Sequence, residues 1–155
     1  MENTLLQRLM RQAESPPTWL LLCLALAWVQ ARFLPLWDAG RPGEVLGWAL
    51  IVVAVVLMVW SVREFRRHHT TIIPREVPSA MIDTGPYQYS RNPIYLADAG
   101  FLAGVVLIWD AGGVLVVVAF VAVITRRFIR GEEAGLRAMF GARYEAYAAR
   151  VRRWV

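Results

Sequence analysis

Two short polar passages hold most of the side chains in this sequence that could do chemistry. The first runs Gly85-Pro86-Tyr87-Gln88-Tyr89-Ser90-Arg91-Asn92-Pro93-Ile94-Tyr95, and the second is Arg130-Gly131-Glu132-Glu133. Tyr87, Tyr89, Arg91, Asn92 and Tyr95 offer aromatic faces, one cation and one amide. Glu132 and Glu133 offer adjacent carboxylates. A carboxylate suits the amino group of a cationic ligand through a charge-assisted hydrogen bond. Neighbouring helical residues point about 100° apart, so one of the two glutamates is expected to face a ligand. Simpler roles compete. Acids in a first helical turn gain from the helix dipole, Arg126, Arg127 and Arg130 stand ready for salt bridges, and aromatic residues are common at membrane surfaces.

Other residues invite weaker readings. His68-His69 suggests a metal, but neighbouring histidines on a helix diverge and no third ligand stands nearby, so no metal is expected. An interfacial pair beside Arg66 and Arg67 fits better. Asp98 lies inside an apolar stretch, where facing lipid is costly, so it should face the bundle, a partner or the site. Gly100 and Gly104 form a small-xxx-small pattern that suits close helix packing, a homodimer or close approach to a ligand. Cys23 is the single cysteine and lies in an apolar stretch, so no intrachain disulfide can form.

The elements that must position these residues are apolar. Hydrophobic residues make up 57% of the 155-residue chain, and they come in long blocks. All 17 basic residues other than histidine are arginines, giving a net charge of +5. The arginines flank the apolar blocks, which points to membrane orientation rather than to nucleic acid. The blocks are Thr18 to Trp37, Val45 to Val62, Pro93 to Trp109 and Val114 to Ile124. The first has the length of a span, and its run continues past Ala25-Leu26-Ala27, which argues against a cleaved signal peptide. Arg32 is expected to snorkel to an interface or to pair inside the bundle. The fourth is short unless its helix extends from Ala111 to Ile129. Trp37 to Gly43 reads as a turn and Asp110-Ala111-Gly112-Gly113 as a tighter one, making blocks three and four a hairpin. A long loop from Arg63 to Asn92 contains Pro74, Pro78 and Pro86, which oppose one continuous helix. Pro93 suits a first helical turn.

With four spans and a cytoplasmic N-terminus, 15 of the 17 arginines fall on the inside, leaving Arg32 and Arg41 toward the other face. The positive-inside rule favours this arrangement, with both termini and both polar passages on the cytoplasmic side. The segment from Glu132 to Trp154 carries Leu136, Phe140, Tyr144, Tyr147, Val151 and Trp154 at steps of three or four. That is one apolar stripe, suited to an interfacial helix on anionic lipid or to a lid over a site. Gly141 should break it in two. The fold class expected is therefore all-α: a polytopic integral membrane protein of four transmembrane helices plus C-terminal amphipathic interfacial helices. It forms a single domain over 1–155, with a two-helix membrane part at 1–62 and a ligand-binding part at 63–155.

At the polar passages the chain resembles the superfamily of isoprenylcysteine carboxyl methyltransferases and phospholipid methyltransferases. The resemblance rests on Gly85-Pro86-Tyr87, then Arg91-Asn92-Pro93-Ile94-Tyr95, a hairpin, Glu132-Glu133, Leu136, Phe140-Gly141, Tyr144, Tyr147, Val151 and Trp154. It covers about residues 70–155. It implies a methyltransferase in a membrane, with the bacterial inner membrane expected, that uses S-adenosyl-L-methionine and releases S-adenosyl-L-homocysteine.

By the same resemblance, cofactor contacts fall on Met81, Ile82, Tyr87, Asn92, Pro93, Ile94, Tyr95, Glu132 and Glu133. Arg91, Asn92 and Tyr95 are the catalytic candidates, and Arg127, Arg130 and Asp98 are the substrate candidates. The implied acceptor is a lipophilic small molecule or lipid: a prenylated carboxylate or thiol, a phospholipid amine or another hydrophobic metabolite. One departure is plain. Asn92 stands where the eukaryotic prenylcysteine enzymes have His; bacterial relatives with Asn at this place look similar to this chain. An amide can keep hydrogen bonds but cannot act as an imidazole base. If the acceptor is an amine, Asp98 or Glu133 is the nearest proton acceptor. Other classes weighed against the enzyme are a membrane scaffold or regulator and a small four-helix transporter.

Overall fold

The computed structural model describes residues 15–68 and 81–155. Among these the secondary structure is helical, without strands. Helix α1 spans Pro16–Phe33. Pro16 and Pro17 fill its first turn, where a missing N–H leaves nothing unpaired. The apolar run continues to Trp37 but the helix does not. Asp110 accepts the backbone N–H groups of Leu36 and Trp37 at 2.9 and 3.1 Å, which draws this segment across to the opposite turn. Arg32 lies exposed in the last turn of α1, with its guanidinium 5.8 Å from the Phe33 ring centroid.

Helix α2 spans Gly40–Arg67, 28 residues, and outruns the expected Val45–Val62 at both ends. The expected turn through Gly43 and loop from Arg63 are corrected accordingly. At the far end Glu64 and Phe65 find partners in the returning chain near Thr84 and Tyr87, which makes continued helix worthwhile. Residues 69–80, including His69, Pro74 and Pro78 of the expected loop, lie outside the described residues. The chain re-enters at Met81 and forms a 3-10 turn over Gly85–Gln88. Helix α3 spans Pro93–Trp109, with Pro93 in its first turn as expected.

A 3-10 turn at Ala111–Gly113 leads into α4, Val114–Ile124. A π turn at Thr125–Ile129 joins α4 to α5, Arg130–Phe140, so one helical rod runs from Ala111 to Phe140. This resolves the short fourth block. The π turn admits an extra residue and rotates the helix beyond it, setting the phase of Glu132 and Glu133. Gly141, at φ +49, breaks the rod before α6, Ala142–Arg150. The expected helix through Trp154 ends earlier: Val151 is extended, and the last residues run back beside the start of α3.

Helix α3 packs most extensively on α2, and Gly47 and Gly104 make the closest approach. A Cβ on Gly47 would stand 2.6 Å from the Gly104 carbonyl oxygen. Leu102, Phe120, Ile124, Phe128 and Ile129 form the buried centre, joined by Cys23 and Ala27 of α1. A second buried cluster joins Met81 to Tyr144, Tyr147 and Val151, with Leu136 and Phe140 against it. The outer faces of α2 and α4 carry exposed Val45, Trp48, Val52, Val53, Val56, Leu115 and Val118. Water would make such a surface costly, and lipid makes it favourable. Two helical rods, Gly40–Arg67 and Ala111–Phe140, are long and apolar enough to cross a membrane, and Pro93–Trp109 is a shorter apolar helix.

Candidate active site

The two polar passages meet at one end of the helices. Tyr95, in the first turn of α3, donates its hydroxyl proton to Glu132 Oε1 of α5 at 2.8 Å. Tyr95 is buried and Glu132 partly exposed, and the phenol fixes the orientation of the carboxylate. Tyr87 is buried beside them on the 3-10 turn. Burial pushes its hydroxyl pKa up, and the nearby Tyr147, Glu132 and Glu64 push in the same direction, so it stays a neutral phenol. The turn is held from two sides. Phe65 of α2 meets the Tyr87 ring edge-on at 5.7 Å, and the Tyr147 hydroxyl donates to the Tyr87 carbonyl at 2.7 Å.

Glu133 faces another way, as adjacent helical residues must. Its two oxygens accept from Arg153 Nε at 2.9 Å and Arg153 Nη2 at 2.6 Å, and Arg91 Nη2 lies 3.3 Å from Oε1. Hydrogen bonding to Glu133 raises the already high pKa of Arg153. The C-terminal segment is fastened here by backbone as well. The Arg91 N–H donates to the Arg152 carbonyl at 2.9 Å, and Asn92 Nδ2 donates to the Arg153 carbonyl at 3.0 Å. The Asn92 amide thus holds the end of the chain, a bond for which an imidazole base is not required. Trp154 Nε1 reaches Thr125 Oγ1 in the π turn at 3.3 Å.

The remaining sequence candidates take distinct places. Met81 and Ile82 are buried at the start of the re-entering segment, with Met81 against Tyr144 and Tyr147. Pro93 is buried and Ile94 half-buried. Asp98 is half-buried one turn beyond Tyr95. The Arg127 guanidinium lies 5.4 Å over the Trp19 ring of α1, and Arg130 is exposed. Gly100 and Gly104 both face α2 of the same chain, toward Ala54 and Gly47.

The model of the phospholipid methyltransferase family matches residues 43–143. The chain belongs to that family. The match runs from the start of α2 into α6 and takes in both polar passages. No curated protein and no solved structure matches the chain. Membership in this family makes the protein a membrane methyltransferase, and the exposed apolar faces of its long helices agree with a membrane setting.

Two site neighbours of this methyltransferase escaped the reading of the sequence. Glu64 is only 3% exposed and accepts from Thr84 Oγ1 at 2.5 Å. Its single signal in the sequence is a lone acid just past an apolar block. Arg153 is one of several C-terminal arginines, and nothing in their spacing distinguishes the one that clasps Glu133.

The residues present can be tested against the cofactor such enzymes imply. Glu132 supplies a fixed carboxylate for an ammonium group. Tyr87 and Tyr95 supply aromatic faces, which attract cations. Met81 and Ile82 supply apolar wall. Among the described residues, Arg91 Nε and Tyr144 Oη at this end, like Trp19 Nε1 and Gln30 Oε1 elsewhere, are buried without a hydrogen-bond partner. Buried donors in that condition are costly unless a ligand completes them, and a carboxylate would do so. The donor set fits an amino-acid-bearing sulfonium cofactor.

Proposed function

We propose that this family member is an S-adenosyl-L-methionine-dependent methyltransferase that methylates a lipophilic acceptor at the cytoplasmic face of a membrane. The observation that carries this reading is the Tyr95–Glu132 hydrogen bond, which joins the two polar passages into one site. In this reading α1, α2, α3 and the α4 rod are four spans. The excess of arginine at the site end supports a cytoplasmic place for that end and for both termini. A multi-pass place in a bacterial inner membrane and acceptor entry sideways from lipid complete the proposal.

S-adenosyl-L-methionine supplies an activated methyl group on sulfur when bound. Glu132 holds the ammonium end, with Tyr95 fixing the carboxylate in place. Arg91 takes the carboxylate end through Nε, while Glu133 pairs with its Nη2. Tyr87 and Tyr95 wall the cationic centre. Met81, Ile82, Pro93 and Ile94 exclude water. Asn92 keeps the C-terminal segment closed over α3. Such a displacement needs no protein nucleophile, so the residues serve alignment and water exclusion. In this reading Arg127 and Arg130 orient an anionic group on the acceptor at the interface, and Asp98 is the proton acceptor along α3 if the acceptor is an amine.

The test is calorimetric binding of S-adenosyl-L-methionine and S-adenosyl-L-homocysteine to the purified protein in detergent and in lipid nanodiscs, with Glu132→Ala alongside. Saturable binding that Glu132→Ala abolishes supports the reading. Failure of the folded wild type to bind either ligand overturns it.

A further inference from the structure

Tyr144, on α6, is 1% exposed, and its hydroxyl is buried without a hydrogen-bond partner. The ring is well held. Met81 and Tyr147 pack against it, with the Tyr147 ring centroid 6.3 Å away, and the Arg137 guanidinium lies 5.5 Å from its own centroid. The hydroxyl sits in the fields of the Arg91–Glu133–Arg153 clasp. Burial pushes its pKa up and Glu133 adds to this, while Arg91, Arg137 and Arg153 oppose it. It is therefore a neutral donor. Through Tyr147, which donates to the Tyr87 carbonyl at 2.7 Å, Tyr144 also adjoins the turn that carries Tyr87.

Arg91 Nε is the second buried donor here without a partner. Glu133 pairs with Arg91 Nη2 at 3.3 Å and leaves Nε unmet. The two donors do not bond each other. Trp19 Nε1 and Gln30 Oε1 are unmet as well, but they stand on α1, where Gln30 faces the Asp110 turn. Packing explains the Tyr144 ring and not its hydroxyl. A Phe would fill the same contacts and spare the protein a buried donor with nothing to meet. A guanidinium N–H and a phenol O–H within one another's influence call for an anion with two acceptor oxygens, and a carboxylate has that form.

We propose that Tyr144 is a binding residue for the carboxylate of the cofactor: its hydroxyl and Arg91 Nε donate together to that group, and the pair selects ligands that keep the amino-acid carboxylate. This rests on the reading of the site as one for S-adenosyl-L-methionine. Each charge of the amino-acid end then has its own counterpart, Glu132 for the ammonium and Arg91 with Tyr144 for the carboxylate. The unmet hydroxyl makes the empty protein less stable than it could be, and the ligand removes that penalty.

The experiment compares S-adenosyl-L-homocysteine with its decarboxylated form, S-adenosyl-3-thiopropylamine, on the wild type and Tyr144→Phe in lipid nanodiscs. Calorimetry gives the first dissociation constant. Displacement of bound S-adenosyl-L-homocysteine gives the second, even where binding is weak. Melting temperatures are taken without ligand. The wild type is expected to bind the decarboxylated form at least about tenfold more weakly. Tyr144→Phe is expected to weaken S-adenosyl-L-homocysteine about tenfold and the decarboxylated form less than about twofold, since the hydroxyl meets only the carboxylate. Without ligand the variant should melt at the wild-type temperature or above it, because its hydroxyl had no partner to lose. Unchanged binding of S-adenosyl-L-homocysteine by Tyr144→Phe, or equal weakening of both ligands, overturns the proposal. So does a wild type that binds both forms alike. A variant that melts lower, or fails to fold, overturns it too, because the hydroxyl would then be a support within the protein. A wild type that binds neither ligand overturns the cofactor reading itself, a result distinct from all of these.

Discussion

Tyr95 donates its hydroxyl proton to Glu132 at 2.8 Å, across 37 residues of sequence and between two different helices. The bond orients one partly exposed carboxylate. Tyr95→Phe removes the donor and keeps the ring. Cofactor affinity should then fall by about threefold to tenfold, the worth of one hydrogen bond, with no change of fold. Glu132→Ala should cost at least about a hundredfold, because the charge itself is gone. Calorimetry on both variants checks the order. Equal losses would mean that the phenol, not the carboxylate, makes the contact.

Glu133 points away from that contact and into a clasp with Arg91 and Arg153. Its side chain is nearly buried, whereas Arg153 is about a third exposed. Removing the buried acid leaves two arginines facing each other without a counter-charge. Glu133→Ala should therefore destabilise the protein by about 3 kcal/mol. Arg153→Ala should cost only about 1 kcal/mol, since water can replace much of what it supplies. Unfolding in detergent, followed by the fluorescence of Trp154 and its fellow tryptophans, measures both. A larger loss for Arg153→Ala would mean that the clasp depends on the C-terminal segment rather than on the buried charge.

The polar passages were legible in the sequence because their residue types are costly beside lipid, and the structure joins them through Tyr95 and Glu132. The Gly141 break and Pro93 at the start of α3 were legible for local reasons: one residue tolerates positive φ and the other dispenses with an N–H. The family was legible from the order of motifs, and the match over 43–143 bears it out. What the sequence hid depends on pairing at a distance. The end of α2 cannot be placed at Arg67 without knowing that Thr84 and Tyr87 return to meet Glu64 and Phe65. Likewise α1 stops at Phe33 because Asp110, far along the chain, claims the next amides. The extended C-terminus is invisible in a stripe that keeps helical spacing through Val151 and Trp154, because Arg153 reaches Glu133 only once the helix has ended.

Gly100 and Gly104 share a pattern but not a role. A Cβ on Gly104 would stand 2.6 Å from the Gly47 carbonyl oxygen and 2.8 Å from Ile51 Cγ1, whereas one on Gly100 would meet Ala54 Cβ at 3.6 Å. Backbone cannot yield as a side chain can. Gly104→Ala should push α3 off α2 and destabilise the protein by about 1–3 kcal/mol. Gly100→Ala makes an ordinary contact and should be neutral or stabilising by up to about 1 kcal/mol through helix propensity. Paired melting curves decide, and equal destabilisation would show that the α2–α3 contact is not set by Gly104.

Asp110 organises the opposite end of the molecule. Its carboxylate accepts from Gln30 Nε2 at 3.0 Å and from the backbone N–H groups of Leu36, Trp37 and Gly112 at 2.9, 3.1 and 2.9 Å. The Gln30 bond is the chief cause that holds its pKa below the usual carboxylate range; burial opposes this, and the three backbone donors add to it. The sign of the consequence is fixed. A carboxyl that binds its proton less readily when folded contributes full stability above the unfolded value, near 3.9. It loses that contribution as pH falls through the lower folded value. Asp110→Asn presents an amide nitrogen where backbone donors converge, so its melting temperature at neutral pH should be several degrees lower. The gap between wild type and variant should then narrow as pH falls from about 5 to about 3 and the wild-type carboxyl takes up its proton. Melting temperatures of both proteins across that range, in the same detergent, measure the gap. A gap that stays constant would show that the Asp110 charge contributes nothing and that only the shape of the turn matters.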